Sequence, residues 1–271
     1  MAGSDSQKAT AAPGGRGEHP ARSGTPFTEE KKQAPIFIVV SPRPQVGKTF
    51  VARLLVDFLR LDHDDPVAFD LNPRGDALKD YLPGLATVTD LNEIRSQMAM
   101  FDRLIVDDGV AKIVDIGHTS FERFFAIAEE IGFFREAPRR SLEPVILFVA
   151  DFHPGTINAY ADLKRRLRDV AIVPVFNEAI LKGKNPREDF PFRHAAAIPV
   201  QIPTLAPMLK AQIEKSYYAF SDVHGKLPIG IPIGLAFQLR SWTRRVFTEF
   251  RELELRLLLE KLRASLPGVR F

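Results

Sequence analysis

The stretch SPRPQVGKTF, residues 41–50, stands between APIFIVV (34–40) and VARLLVDFLRL (51–61). APIFIVV is a β-branched run of buried-strand length, and from Thr49 onward apolar side chains recur at helical spacing, so the chain reads strand, loop, helix. A loop that wraps phosphate at such a junction needs inward backbone N–H groups, a lysine for the outer phosphates and a hydroxyl for Mg²⁺. Val46-Gly47-Lys48-Thr49 supplies that second half: Gly47 admits the close approach, Lys48 is the point charge, Thr49 the hydroxyl, and the helix dipole adds to both. The first half is irregular, since Pro42 stands where the usual motif has its first glycine. Without a ligand, the same residues read as a helix N-terminus with a solvated lysine and a capping threonine. The neighbouring strands have to decide.

They repeat the pattern. Strand signals at 66–72, 111–117, 144–152 and 171–179 alternate with helical periodicity at 98–106, 121–134 and 156–170. A Pro-rich, charged connection at 181–194 leads to a short strand near 197–203 and a helix near 205–220, and one long helix is expected from about Leu235. Strands alternating with helices predict an α/β fold with a mostly parallel sheet covered on both faces. Residues 1–33 mix Gly, Pro, Ser, Ala and charges with few large apolar side chains, which predicts a disordered tail before a nucleotide-binding domain at 34–225 and a C-terminal helical extension at 226–271.

An acidic residue at the end of a strand beside such a loop orders the magnesium shell. Val67-Ala68-Phe69-Asp70 and Lys112-Ile113-Val114-Asp115 both end that way. Asp115 is preferred to Asp107 or Asp108, because Gly117 follows where a backbone N–H could meet a γ-phosphate, whereas Asp107-Asp108-Gly109 reads as a helix end and turn.

These segments together resemble the ParA/MinD-type ATPases of the deviant Walker A class, a P-loop NTPase family whose loop reads KGGxGKT, whose next strand ends DxDPQG, whose later strand ends in Asp before a short switch, and whose distal strand ends near an adenine-reading Asn. The matching residues are Arg43-Pro44-Gln45-Val46-Gly47-Lys48-Thr49, Asp70-Leu71-Asn72-Pro73-Arg74-Gly75, Asp115-Ile116-Gly117 and Val175-Phe176-Asn177. The likeness covers roughly 34–220 and is specific in the loop and in DLNPRG. A fainter likeness points to the plasmid-stability and conjugation branch. It implies ATP and Mg²⁺ as cofactors, with Pro44, Gln45, Val46, Gly47, Lys48, Thr49, Phe50, Asp70, Gly117 and Asn177 around the nucleotide, Thr49, Asp70 and Asp115 at the metal, and Lys48, Asn72 and Arg43 in catalytic roles.

Three departures accompany the match. Arg43 replaces the family's signature lysine, keeping the charge and gaining bidentate geometry. Asn72 replaces the second Asp of DxDP; an amide orients water but cannot accept its proton, so slow hydrolysis is expected. Pro44-Gln45 replaces the glycine pair and removes one N–H from the cradle.

Composition limits the partners. The 37 basic and 34 acidic residues leave a net charge of +3, too mild for a protein that coats nucleic acid, so any DNA contact is local. The absence of cysteine excludes disulfides and thiolate chemistry, and the six histidines form no metal-site spacing. No apolar run approaches the roughly 20 residues of a bilayer span, and a cytoplasmic protein without stable membrane insertion is expected. Asn177 reads equally as a turn former. In the C-terminal segment Trp242, Val246, Phe250, Leu253 and Leu257 share a helical face, interleaved with arginines and diluted by glutamates; packing on the domain or on a twin is favoured over a DNA or membrane surface. The leading expectation is an ATP-dependent homodimeric switch acting with DNA or a DNA-binding or transfer protein in plasmid partition, DNA transfer or intracellular positioning. The alternatives are a P-loop small-molecule kinase or ligase similar to dethiobiotin synthetase, and a catalytically impaired nucleotide-binding interaction protein.

Overall fold

The computed structural model describes residues 34–61, 65–72, 78–181, 183–184, 198–214, 219–220 and 232–265. The tail expected at 1–33, the Pro73-Arg74-Gly75 end of DLNPRG and all of the charged connection but 181 and 183–184 lie outside them. The elements run β1 (Ala34–Val40), α1 (Lys48–Leu59), β2 (Val67–Asp70), α2 (Leu78–Tyr81), β3 (Ala86–Val88), α3 (Ile94–Leu104), β4 (Lys112–Asp115), α4 (Phe121–Glu130), α5 (Phe133–Arg139), β5 (Leu142–Ala150), α6 (Pro154–Arg166), β6 (Ala171–Asn177), β7 (Val200–Ile202), α7 (Pro207–Glu214) and α8 (Ile233–Ser265).

The seven strands form one sheet in the order β3-β2-β4-β1-β5-β6-β7, and every pairing is parallel. From β1 the chain moves through α1 to β2 and through α2 to β3; it then returns past β1, through α3 to β4 and through α4 and α5 to β5. Right-handed crossovers place helices made in opposite directions on opposite faces. The two cores agree: α1, α2, α7 and α8 pack on one side of the sheet, and α3 to α6 on the other. The reversal falls between β4 and β1, where the first helix leaves one way and the fourth the other, so their carboxyl ends border a crevice suited to a ligand.

β1 is flanked on both edges, and its side chains are nearly all buried, which is why it reads as a continuous apolar run rather than an alternating one. The C-terminal α8 belongs to the same core as α1. Phe58 lies 5.6 Å from Phe247 and 5.5 Å from Phe250, and the Trp242 Nε1 donates to the Pro203 carbonyl at 2.9 Å. Exposed Arg244 and Arg245 lie on the outer face. No helix among the described residues is long and apolar enough to cross a membrane.

Some boundaries differ from the expected ones. The helix read at 121–134 is two helices, broken at Gly132, whose φ of 69° is left-handed. The helix read at 98–106 starts at Ile94 and ends at Leu104. The short α2 and β3 have no counterpart in the sequence pattern.

Candidate functional site

Residues 41–47 leave the carboxyl end of β1 and turn into α1. Two left-handed residues make the turn, Gln45 at φ 58° and Gly47 at φ 95°. Gly47 is required on two counts: its φ disfavours a side chain, and a Cβ there would stand 2.6 Å from Asn177 Nδ2. Asn177, at the end of β6, donates to the Val46 carbonyl at 3.3 Å and accepts from the Ala179 N–H at 3.2 Å. Its amide thus fastens the loop to the distal strand and shapes its own turn.

Lys48 opens α1 and donates from Nζ to the Arg43 carbonyl at 2.7 Å, so the ammonium folds back across the loop. Burial pushes its pKa below the usual lysine value, and Asp115 opposes that shift. Phe50 turns the other way, 5.8 Å from the Trp242 ring and 6.1 Å from Phe220, so its side chain joins the α8 contact and only its backbone is left to the loop.

The crevice holds a compact polar cluster. Thr49 Oγ1 donates to Asp115 Oδ2 at 2.6 Å, and Asn72 Nδ2 donates to the same Oδ2 at 3.1 Å and lies 3.4 Å from Thr49 Oγ1. Asp115 is completely buried, and its Oδ1 has no hydrogen-bond partner among the described residues. Burial pushes its pKa up to about 7, the bond from Thr49 counters this, and the nearby Asp70 adds to the rise. Asp70 is also buried; its Oδ1 accepts the Asn72 N–H at 2.9 Å and its Oδ2 the Lys79 N–H at 3.2 Å. It caps the start of α2 and anchors the Asn72 backbone, while desolvation raises its pKa.

Gly117 closes the cluster. A Cβ at that position would lie 2.5 Å from Asn72 Oδ1 and 3.1 Å from the Leu71 carbonyl. Ser120, on the turn that follows, donates to the Leu71 carbonyl at 3.0 Å and ties the segment after β4 to the end of β2.

No protein-family model matches this chain, and no curated protein matches it. The site therefore rests on its own chemistry. Hard oxygen donors, a half-buried hydroxyl beside a buried carboxylate with one oxygen unengaged among the described residues, fit Mg²⁺. Among the described residues no group of three or more His, Cys, Asp or Glu side chains is placed to hold a metal by itself. An ion here would thus need further oxygens, those of water or of a phosphate.

The structure brings together Thr49, Asp115, Asn72 and Gly117, with Lys48 close by. It directs the Asp70 oxygens to backbone N–H groups instead of toward Thr49, and it holds Arg43 against Asp151, Nε to Oδ2 at 3.1 Å. Asp107 and Asp108 precede β4, at the amino end of the sheet, and Asp107 lines a surface cleft of about 550 Å³ with Arg139 and Ser141. Asp151 is the residue that sequence reasoning missed. It stands one residue beyond the end of β5, whereas Asp70 and Asp115 are the last residues of their strands, and it accepts from Thr156 Oγ1 at 2.5 Å on the turn into α6.

Proposed function

We propose that this chain is a P-loop protein that binds a nucleoside triphosphate with Mg²⁺ at the carboxyl ends of β1 and β4, as a switch of the ParA/MinD kind. The observation that carries the reading is the 2.6 Å bond between Thr49 Oγ1 and Asp115 Oδ2, made where the sheet order reverses and one residue after a lysine at a helix N-terminus. The N–H groups at the start of α1 and the Lys48 ammonium would receive phosphate oxygens; to do so Lys48 exchanges the Arg43 carbonyl for the ligand. Thr49 and Asp115 would hold the cation, which neutralises phosphate charge when bound. Asn177 supports the loop from behind, and reading a base would require it to release Val46.

The resemblance extends the proposal to a nucleotide-dependent homodimer that engages DNA or a DNA-transfer protein. One observation favours a second reading, a nucleotide-binding interaction protein with impaired catalysis: the Asn72 amide faces the Thr49–Asp115 pair, and no carboxylate stands in its place to take a proton from water.

Calorimetry with ATP and Mg²⁺ on the wild type and on Lys48→Ala tests the proposal. Lys48→Ala should lose at least about tenfold in affinity, as expected for a buried charge-assisted contact. Equal affinities, or no binding by either protein, would overturn it.

A further inference from the structure

Two oxygens placed to share a cation, Thr49 Oγ1 and Asp115 Oδ2, already share something else. Asn72 Nδ2 sits 3.1 Å from the carboxylate and 3.4 Å from the hydroxyl, so a group with partial positive charge and two N–H donors lies against both. The backbone behind it is fixed, because the Asn72 N–H is held by Asp70 Oδ1 at 2.9 Å. On its other side the amide oxygen occupies the notch left by the missing side chain of Gly117. Rotation about the side-chain bonds moves the amide between these neighbours.

We infer that the Asn72 amide is a displaceable stand-in for the divalent cation, occupying the space between Thr49 and Asp115 so that the cation binds only when the amide withdraws or turns. The inference rests on the Mg²⁺ site proposed above and concerns its regulation. An N–H donor neutralises Asp115 at a hydrogen-bond distance, whereas Mg²⁺ needs oxygens at about 2.1 Å, so the two cannot occupy the space together. Turning the amide over would present Oδ1, an acceptor, to the incoming ion, and would send Nδ2 toward Gly117 and the Leu71 carbonyl. Asn is suited to this exchange, since its two ends have opposite polarity. An aspartate at the same place has no donor to offer and would add a third carboxylate beside Asp70 and Asp115. Asn72 is on this account a positioning residue that lowers cation affinity in the resting chain and couples its occupancy to the segment at Gly117.

The test uses nucleotide-free protein and Mn²⁺ as the probe, with free Mn²⁺ read by its electron paramagnetic resonance signal and thermal unfolding followed in parallel. Asn72→Asp, which adds a carboxylate oxygen, should bind Mn²⁺ about tenfold or more tightly than the wild type, a change of the size that substitutions beside a metal ligand produce, and its metal-free form should melt lower. Asn72→Ala removes the occupant without adding charge. It should bind Mn²⁺ about fivefold more tightly, the equilibrium equivalent of one net hydrogen bond no longer displaced. Weaker binding by Asn72→Ala would mean that the amide serves the ion as a ligand more than it hinders it as an occupant, and would overturn the inference; so would unchanged affinity in either variant. If Asn72→Asp does not fold, the alanine variant decides alone. The Mn²⁺ measurements contain no nucleotide, so a protein that fails to bind ATP but passes them refutes the nucleotide proposal and leaves the stand-in, and the reverse pattern does the opposite.

Discussion

Arg43 and Asp151 are joined across the carboxyl ends of neighbouring strands β1 and β5, with Nε 3.1 Å from Oδ2 and the arginine side chain 39% exposed. The Asp151 Oδ1 is engaged separately, by the His153 N–H at 3.0 Å and by Thr156 Oγ1. A guanidinium held this way within its own chain must let go before it can reach a nucleotide on a second subunit. If the proposed nucleotide-dependent homodimer forms, Asp151→Asn is therefore expected to promote it, by about threefold in the concentration required, since a partly exposed pair contributes modestly. Arg43→Ala should bind ATP and remain a monomer. Light scattering with a non-hydrolysable ATP analogue reads both. If Asp151→Asn assembles no more readily than the wild type, the pair does not restrain Arg43.

The Gly47–Asn177 contact predicts a coupled stability effect. Gly47→Ala places a Cβ 2.6 Å from Asn177 Nδ2 on a backbone with φ of 95°, so it carries both a clash and a strained conformation. A loss of about 2 kcal/mol is expected in urea unfolding. Adding Asn177→Ala should return part of the loss by removing the clash, while the backbone strain stays. A double variant whose loss equals the sum of the two single losses would show that the clash has no share in it.

Much of the scaffold is written in short-range patterns. The apolar run of β1, the helical period of α1 and the Asp at the end of β4 are each visible within ten or so residues. The three residues of β3 and the four of α2 are too short to display a period, and they exist because β2 offers them an edge and a face. The break between α4 and α5 lies inside an unbroken apolar pattern and turns on the left-handed Gly132. The cluster was legible as a set of residues and not as a geometry. Asn72 is 23 residues from Thr49 and 43 from Asp115, and nothing local in the sequence says that its amide faces them or that the Asp70 oxygens turn to backbone N–H groups. Strand order determined that outcome.

Lys112 and Asp108 give a prediction independent of any ligand. Lys112 is completely buried at the start of β4; its Nζ donates to Asp108 Oδ1 and to the Val106 carbonyl, each at 2.6 Å. Burial is the largest single influence on the Asp108 carboxyl and pushes it up, but the bonds from Lys112, Val110 and Arg103 and the Lys112 charge together outweigh it and hold the carboxyl at about 2. A carboxyl whose pKa is lower in the folded state gives stability that is present above its unfolded value near 4 and is lost as the pH falls through about 2. Asp108→Asn should flatten that acid limb and cost about 2 kcal/mol at neutral pH, less than for a fully enclosed pair because Asp108 is a quarter exposed. Lys112→Met added to Asp108→Asn should recover part of the loss, since no buried cation is then left unpaired. Urea unfolding at a series of pH values measures both effects, and an unchanged acid limb in Asp108→Asn would remove Asp108 as its source.

The two faces of α8 should respond to substitution in opposite ways. Phe250 is buried against Phe58, whereas Arg244 and Arg245 are exposed. Phe250→Ala opens a cavity in the core that α8 shares with α1 and should cost about 3 kcal/mol or more. The double charge reversal Arg244→Glu with Arg245→Glu touches no core contact and should leave stability within about 0.5 kcal/mol. The same reversal asks whether the outer face meets DNA. Phosphate contacts are electrostatic and additive, so if α8 supplies them the reversed variant should lose about tenfold or more in affinity for a duplex and show a shallower salt dependence. Fluorescence anisotropy with labelled duplex, with and without ATP and Mg²⁺, reads this directly. A variant that binds DNA as the wild type does places any nucleic-acid contact elsewhere on the molecule and leaves α8 a core helix, while a variant that loses binding at unchanged stability assigns the contact to the arginines that the apolar face of this helix leaves outside.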